Sequence, residues 1–346
     1  MSDVRDPHPH DPVAVYDADV VADERVVEGA LRRYGFSAER SWRLINLSEN
    51  ATYLVDDPGT GRTGVLRVHR PDYHTAPAIE SELDWLTDLG THTSVSTPAI
   101  VPTDDGERVV TVDLDGEPRH AVLFAFVDGA APDETVLRAA EFETLGEITA
   151  VMHRHARAWR RPAGFTRFAW DWHHSLGAGA RWGRWQDGIA VGPQEQDVLG
   201  RAAGVVRGRL AAYGTAPERY GLIHADLRLA NLLVDDDRVN VIDFDDCGFS
   251  WFMYDFGAAV SFLEHDPRLA EWQDAWLRGY RREEPIPVED EDMIATFVML
   301  RRLLLVAWMG SHSHSRECQE IGPGYTAGSC TLAERYLRSA GRSVAP

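Results

Sequence analysis

The sequence predicts an α+β protein of two lobes with a cleft between them, a β-rich front lobe and a larger, mainly α-helical back lobe. Three observations carry this. Strand-like runs punctuated by Gly, Asp and Pro fill the chain up to residue 127, and long helical patterns dominate after Asp128-Gly129. The length, 346 residues, also exceeds what one small core organises.

Residues 1–20 are polar and Pro-containing (MSDVRDPHPHDP at the start) and read as a disordered lead without the apolar core of a signal peptide. A first helix is expected over 23–34, then strands over 42–47, 52–55, 64–69, 98–102, 108–112 and 120–127. One helix, 78–89, interrupts them with Ile79, Leu83, Leu86 and Leu89 on one stripe. Beyond the Asp-Gly step, helical patterns cover 134–155, 194–213, 254–263, 269–282, 292–309 and 332–338. The expected partition is therefore a front lobe over 21–127 and a back lobe over 128–346.

Composition narrows the function classes. Net charge is −20, from 35 basic against 55 acidic residues, and every basic residue is Arg. That balance disfavours nucleic acid and suits a cationic ligand or simple solubility. Cys247, Cys318 and Cys330 lack zinc-site spacing and an even count, so reduced thiols and a cytoplasmic location are expected. The apolar stretch 293–309 is broken by Arg301-Arg302 and is too interrupted to span a membrane. A Walker A loop cannot occur without Lys, and no G-x-G-x-x-G appears.

The most informative stretch is LIHADLRLANLLVDDDRVNVIDFDDCGF at 222–249. Two apolar runs, 232–234 and 239–242, flank an Asp-rich turn and read as a hairpin pinning two polar loops side by side. A carboxylate at Asp226 can orient a hydroxyl and accept its proton. The Asn231 amide oxygen is a neutral, hard ligand suited to Mg²⁺, and Asp243 adds a charged one. Together these are the parts phosphoryl transfer needs. The spacing H-x-D-x-x-x-x-N, then an apolar strand and I-D-F, matches the catalytic and metal loops of kinase-like folds.

On H-A-D-L-R-L-A-N (224–231), I-D-F-D-D (242–246) and Y-D-F (254–256), the chain resembles the family of aminoglycoside phosphotransferases, choline kinases and type II homoserine kinases. The resemblance implies a protein-kinase-like fold and an ATP- (or GTP-) and Mg²⁺-dependent kinase. Asp226 is then the base, Asn231 and Asp243 the metal ligands, and His224 and Asp255 the braces of the catalytic loop. Arg228 occupies a position that faces the γ-phosphate. Ala225 stands where the family has Gly, and Asp245 and Asp246 are open to metal, substrate or buttressing roles.

In the front lobe, L-S-E-N-A-T-Y (47–53) resembles the nucleotide loop, with Ser48 and Asn50 as cofactor-binding positions. G-V-L-R-V-H-R-P (64–71) resembles the strand bearing the phosphate-binding Lys, here Arg67. Arg keeps the charge and can fork onto two oxygens, with a different geometry. Glu82 is its expected ion-pair partner, since Glu80, about 200° away on the helix, points to solvent. A-V-L-F-A-F-V-D-G (121–129) resembles the last strand and the adenine hinge, assigning Phe126 and Val127. The C-terminal R-R-L-L-L-V-A-W is similar to the stress-response and amicoumacin kinase branch.

The acceptor is less legible. Trp170, Trp172, Trp182 and Trp185 cluster between helices, and with Asp171 or Asp187 they could hold an ammonium group by cation–π contact, or simply fill core. The first substrate expectation is a cationic antibiotic such as an aminoglycoside or amicoumacin-like compound. Homoserine, choline or a similar amino alcohol, a Ser/Thr side chain in a protein, and a non-enzymatic pseudokinase are the alternatives. Arg154 to Arg161 reads as the cationic end of a helix, and the His173-His174 and 312–314 His residues as loop residues.

Overall fold

The computed structural model describes residues 23–47, 50–133, 136–235, 238–313 and 316–343; the expected 1–20 lead and Ser48 lie outside them. Helix α1 (Glu24–Leu31) is capped by Asp23, which accepts from the Arg25 backbone N–H at 2.8 Å, and it buries Val26, Val27, Ala30 and Leu31. Beneath it lies an antiparallel sheet of β1 (Ser41–Leu47), β2 (Ala51–Asp57), β3 (Arg62–Val68), β4 (Ile100–Val101), β5 (Val110–Leu114) and β6 (Glu117–Ala125). Strand order is β1-β2-β3-β6-β4, with β5 also paired to β6. Period-two alternation in β2 sends Ala51, Tyr53 and Val55 inward against Leu66, Val68 and the α1 side chains. Helix α2 (Ala76–His92) leaves β3 and lays Ile79, Glu82, Leu83 and Trp85 against the interior.

The crossing to the helical portion is short. Ala130 exchanges both backbone bonds with Val234, at 3.1 and 2.9 Å. Gly129 adopts φ 132°, and a Cβ there would sit 3.0 Å from the Val234 carbonyl, so only Gly fits.

The larger portion contains α3 (Ala139–Ala158), α4 (Trp172–Ser175), α5 (Pro193–Tyr213), β7 (Tyr220–Ile223), β8 (Leu232–Asp235), β9 (Arg238–Val241), β10 (Gly248–Trp251), α6 (Tyr254–Ala259), α7 (Leu269–Glu283), α8 (Val288–Glu291), α9 (Ile294–Ser311) and α10 (Arg316–Ser343). Helices α3 and α7 approach so closely that a Cβ on Gly279 would collide with the Glu143 carbonyl. Helix α9 is apolar on all sides because it is central. The most apolar 18-residue window within 288–311 is 78% buried inside the fold, the mark of a core helix.

The expected hairpin forms, Leu232 pairing with Val241 and Asp235 with Arg238. Sequence reading misses the β7–β10 pair, whose short runs carry no alternation, and α10, which starts sixteen residues before the expected 332. The helix expected over 254–263 stops at Ala259, and Phe262 takes φ 69°, which no helix accommodates.

Candidate active site

The catalytic loop hangs from β7, and β10 beside it anchors the loop on the far side of the hairpin. Ala225 adopts φ 67°, the left-handed conformation that Gly would take without strain. Asp255, at the start of α6, holds this turn. Its Oδ1 accepts from Ala225 N–H at 2.8 Å, and its Oδ2 accepts from His224 N–H at 3.3 Å and lies 3.0 Å from His153 Nε2. His224 Nε2 sits 3.1 Å from the Ile242 carbonyl while Nδ1 accepts from Asp226 N–H at 3.3 Å. Burial holds His224 below its usual range, so the ring is neutral and donates from Nε2, tying the two polar loops together.

Both carboxylate oxygens of Asp226 are engaged. Oδ2 accepts from Asn231 Nδ2 at 2.8 Å, and Oδ1 accepts from Arg301 Nη2 in α9. Asn231 Nδ2 also donates to the Asp226 carbonyl at 2.8 Å, which fixes the amide and turns its oxygen away from Asp226. Arg228 Nε lies 3.8 Å from Asp226 Oδ2, with the guanidinium 37% exposed.

Across the cleft, Arg67 Nη2 bonds Glu82 Oε1 at 2.7 Å, and Nη1 reaches to 3.6 Å from Asp243 Oδ1. Glu80, expected to face solvent, is 38% exposed and pairs with Arg108. Asp243 adopts φ 60° and opens a 3₁₀ turn, Phe244–Asp246. Burial pushes its carboxyl up to about 7, helped by Asp245, Asp226 and Glu82 and opposed by Arg67. The side chain is 44% exposed, so this reflects surplus negative charge in a crowded cleft more than a sealed cavity.

That surplus is the test of whether the residues fit a divalent cation, and they do. The donor set is one carboxylate and one amide oxygen, both hard. Among the described residues no cluster of three or more His, Cys, Asp or Glu is placed to hold a metal. The remaining ligands would be phosphate oxygens and water, the usual arrangement for Mg²⁺.

The other predicted residues fall as follows. Asn50 is buried, its Oδ1 accepting from Arg70 N–H at 3.1 Å, so its side chain braces the loop end against β3. Phe126 follows β6 and is 44% exposed, with Val127 half-buried beside it. Asp245 is gripped from the front lobe, its Oδ1 lying 3.2 Å from His69 Nδ1 and 3.4 Å from His74 Nε2. Asp246 accepts from Tyr73 O–H at 2.6 Å, and that hydroxyl accepts from Trp182 Nε1 at 3.2 Å. Trp170 and Trp182 stack edge-on at 5.0 Å, and Trp170 Nε1 donates to the Asp246 carbonyl at 2.8 Å.

The expected partnership of Trp with Asp171 or Asp187 is therefore corrected. Asp171 caps α4 and bonds His174, and Asp187 lies at the surface by Arg184. The carboxylate beside the aromatic pair is Asp246. Tyr73, His69, His74 and Arg301 were not singled out from sequence. For Arg301 a signal existed: an Arg inside an apolar helix must have a buried partner.

Residues 41–290 match the description "Phosphotransferase enzyme family". The chain belongs to that family. Amicoumacin kinase of Bacillus subtilis (strain 168) is 25% identical over 295 residues, covering 82% of this chain and 83% of the relative. A solved microcompartment-associated aminopropanol kinase is 57% identical, with a TM-score of 0.86 over 92% of this chain and 99% of that one. An amicoumacin kinase solved with AMP-PNP, Ca²⁺ and its antibiotic superposes with a TM-score of 0.74 at 22% identity, over 90% and 93% of the two chains. The protein is an ATP-dependent small-molecule kinase with a hydroxyl acceptor, built on the α+β, protein-kinase-like fold.

Proposed function

We propose that this kinase phosphorylates the hydroxyl of a small amino alcohol of the aminopropanol type, with Mg²⁺ as its metal. The observation that carries the reading is the 57% identity to an aminopropanol kinase along nearly the whole of both chains. The walls around Asp246 support it. Trp182 and Asp246 are buried, and a carboxylate beside an aromatic pair suits an ammonium group.

In this reading Asp226 orients the acceptor hydroxyl and takes its proton as the new P–O bond forms and the bond from the γ-phosphorus to the bridging oxygen breaks, releasing ADP. Arg67, locked by Glu82, positions the α- and β-phosphates, and Arg228, the freer guanidinium, faces the γ-phosphate. Asn231 and Asp243 would hold the ion, which when bound neutralises charge building on the phosphate oxygens. Asn50, just before β2, would lie in the loop over the phosphates, and Phe126 and Val127 would line the adenine. Three free cysteines suit a reducing cytoplasm.

The test is acceptor-stimulated ADP release over a panel of aminopropanol, ethanolamine, choline, homoserine and an aminoglycoside. The phosphomonoester product is identified by phosphorus NMR. The highest kcat/KM is expected with aminopropanol, and a preference for the aminoglycoside would refute the assignment.

A further inference from the structure

Helix α9 carries two adjacent arginines inside its apolar body, Arg301 and Arg302, each about 2% exposed. A buried guanidinium persists only when its charge and donors are met. Arg302 is met by structure. It bonds Glu264 at 2.6 Å, Ser329 Oγ at 2.7 Å and the Tyr325 carbonyl at 3.0 Å, none of them a group assigned to base, metal or nucleotide.

Arg301 points the other way. Its Nε donates to Ser261 Oγ at 2.9 Å and its Nη1 to the Ala225 carbonyl at 3.3 Å, while Nη2 bonds Asp226 Oδ1. The carboxylate that compensates this charge is therefore the proposed base itself. Its guanidinium also lies 5.2 Å from the centre of the Trp182 ring.

We propose that Arg301 is a positioning residue for phosphoryl transfer. From a rigid core helix it holds the Asp226 carboxylate and the strained Ala225 turn, so that the acceptor hydroxyl meets an oxygen already in place. This rests on the reading of Asp226 as the base. Asn231 holds Oδ2 from within the loop and Arg301 holds Oδ1 from outside it, so rotation about the Asp226 side chain is stopped from two directions. Ser261, in the turn that ends α6, in turn fixes the guanidinium plane. Misplacement of a reacting group by an ångström costs on the order of 10²-fold in rate, so the effect belongs in kcat and not in nucleotide binding.

The experiment compares Arg301→Met, Arg301→Lys, Ser261→Ala and Arg302→Met, with whichever acceptor of the panel the wild-type enzyme turns over best. Arg301→Met is expected to lower kcat by about 100-fold while KM for ATP stays within about twofold. Arg301→Lys, whose ammonium can reach Oδ1 but not all three acceptors, should recover about tenfold of that loss. Ser261→Ala should lower kcat a few-fold.

Arg302→Met should lower the melting temperature without a selective fall in kcat. If Arg301→Met keeps kcat within twofold, or behaves as Arg302→Met does, Arg301 is structural. If Arg301→Met does not fold, wild-type kcat in both Arg301→Lys and Ser261→Ala likewise makes Arg301 structural. Asp226→Ala run alongside separates the two claims. Turnover surviving there removes the base, whereas its loss together with a normal Arg301→Met overturns Arg301 alone.

Discussion

Replacing Arg67 by Lys restores the residue that this position of the fold usually carries, and the geometry here predicts that the restoration is harmful. The Arg67 fork spans two carboxylates, 2.7 Å to Glu82 and 3.6 Å to Asp243, and its guanidinium lies 5.2 Å from the Phe124 ring centre. An ammonium is a single point with no fork. Glu82 is fully buried, so the ammonium of Arg67→Lys would keep that contact and give up the arm directed toward Asp243 and the phosphates. A hydrogen bond to a charged group contributes about 1.5–3 kcal/mol, which corresponds to roughly a 10- to 100-fold loss in kcat/KM for ATP. Stability should change by less than about 1 kcal/mol, because the buried pair survives. Arg67→Met, by contrast, strands the Glu82 charge and should cost about 3–5 kcal/mol in urea unfolding. A coupled ADP-release assay with ATP as the varied substrate, run beside the unfolding curves, measures both quantities. An Arg67→Lys enzyme as efficient as wild type would refute the claim that the site is built around a fork.

Three further outcomes follow from the site. Asn231→Ala would remove one of the two proposed protein ligands and should raise the Mg²⁺ concentration for half-maximal activity by about tenfold or more; an unchanged metal titration would remove it from the ligand set. Asp246→Asn keeps the Tyr73 contact but not the charge, and should raise KM for an amino alcohol about tenfold with KM for ATP unaltered, which acceptor and nucleotide titrations separate. Like His74, His153 and His224, His69 is a buried histidine held below its usual range. Burial, then the Arg67 charge, depress it from 6.5 to about 4, while Asp245 stays ionised below its usual range. Between those values the unfolded chain binds the extra proton, so stability falls as pH drops from 6.5 toward 4, by about 3 kcal/mol over the window. Urea unfolding at several pH values should show stability falling across that window, and His69→Gln should make the slope shallower by the share that His69 contributes, His74, His153 and His224 keeping the remainder.

Much of the site was legible because its chemistry is local in sequence. Asp226 and Asn231 share one loop, Asp243 is joined to them by a hairpin with clear alternation, and Glu82 lies on the same helix face as the apolar stripe. What was not legible depends on contacts across long separations. Asp246 meets Tyr73 across 173 positions, and Arg301 meets Asp226 across 75. No periodicity encodes such pairs. Composition pointed to Asp171 and Asp187 as partners of the tryptophans because they are adjacent in sequence, yet the helix cap at α4 claims one and the surface claims the other. Similarly α10 was underestimated because Gly322, Pro323, Gly324 and Gly328 weaken its helical pattern, and packing against α5 and α9 overrides that local cost.

The charges of the cleft also explain why metal and nucleotide should arrive together. Glu82 is met by Arg67 and Asp226 by Arg301, while Asp245 lies against His69 and His74, both held below their usual range, and Asp255 is met by the backbone of the catalytic loop. Asp243 has only a share of Arg67, and its raised carboxyl expresses that deficit. A triphosphate alone would be drawn to Arg67 and Arg228 but repelled by Asp243, and a divalent ion alone would find one carboxylate and one amide. Each therefore binds weakly without the other. In the proposed site Asp243 and Asn231 would hold the ion beside the phosphates, its charge would offset that of Asp243, and Arg67 would be freed to face the phosphates. The acidic balance of the chain is thus put to use at one carboxylate, left short of positive charge until the substrate complex supplies it.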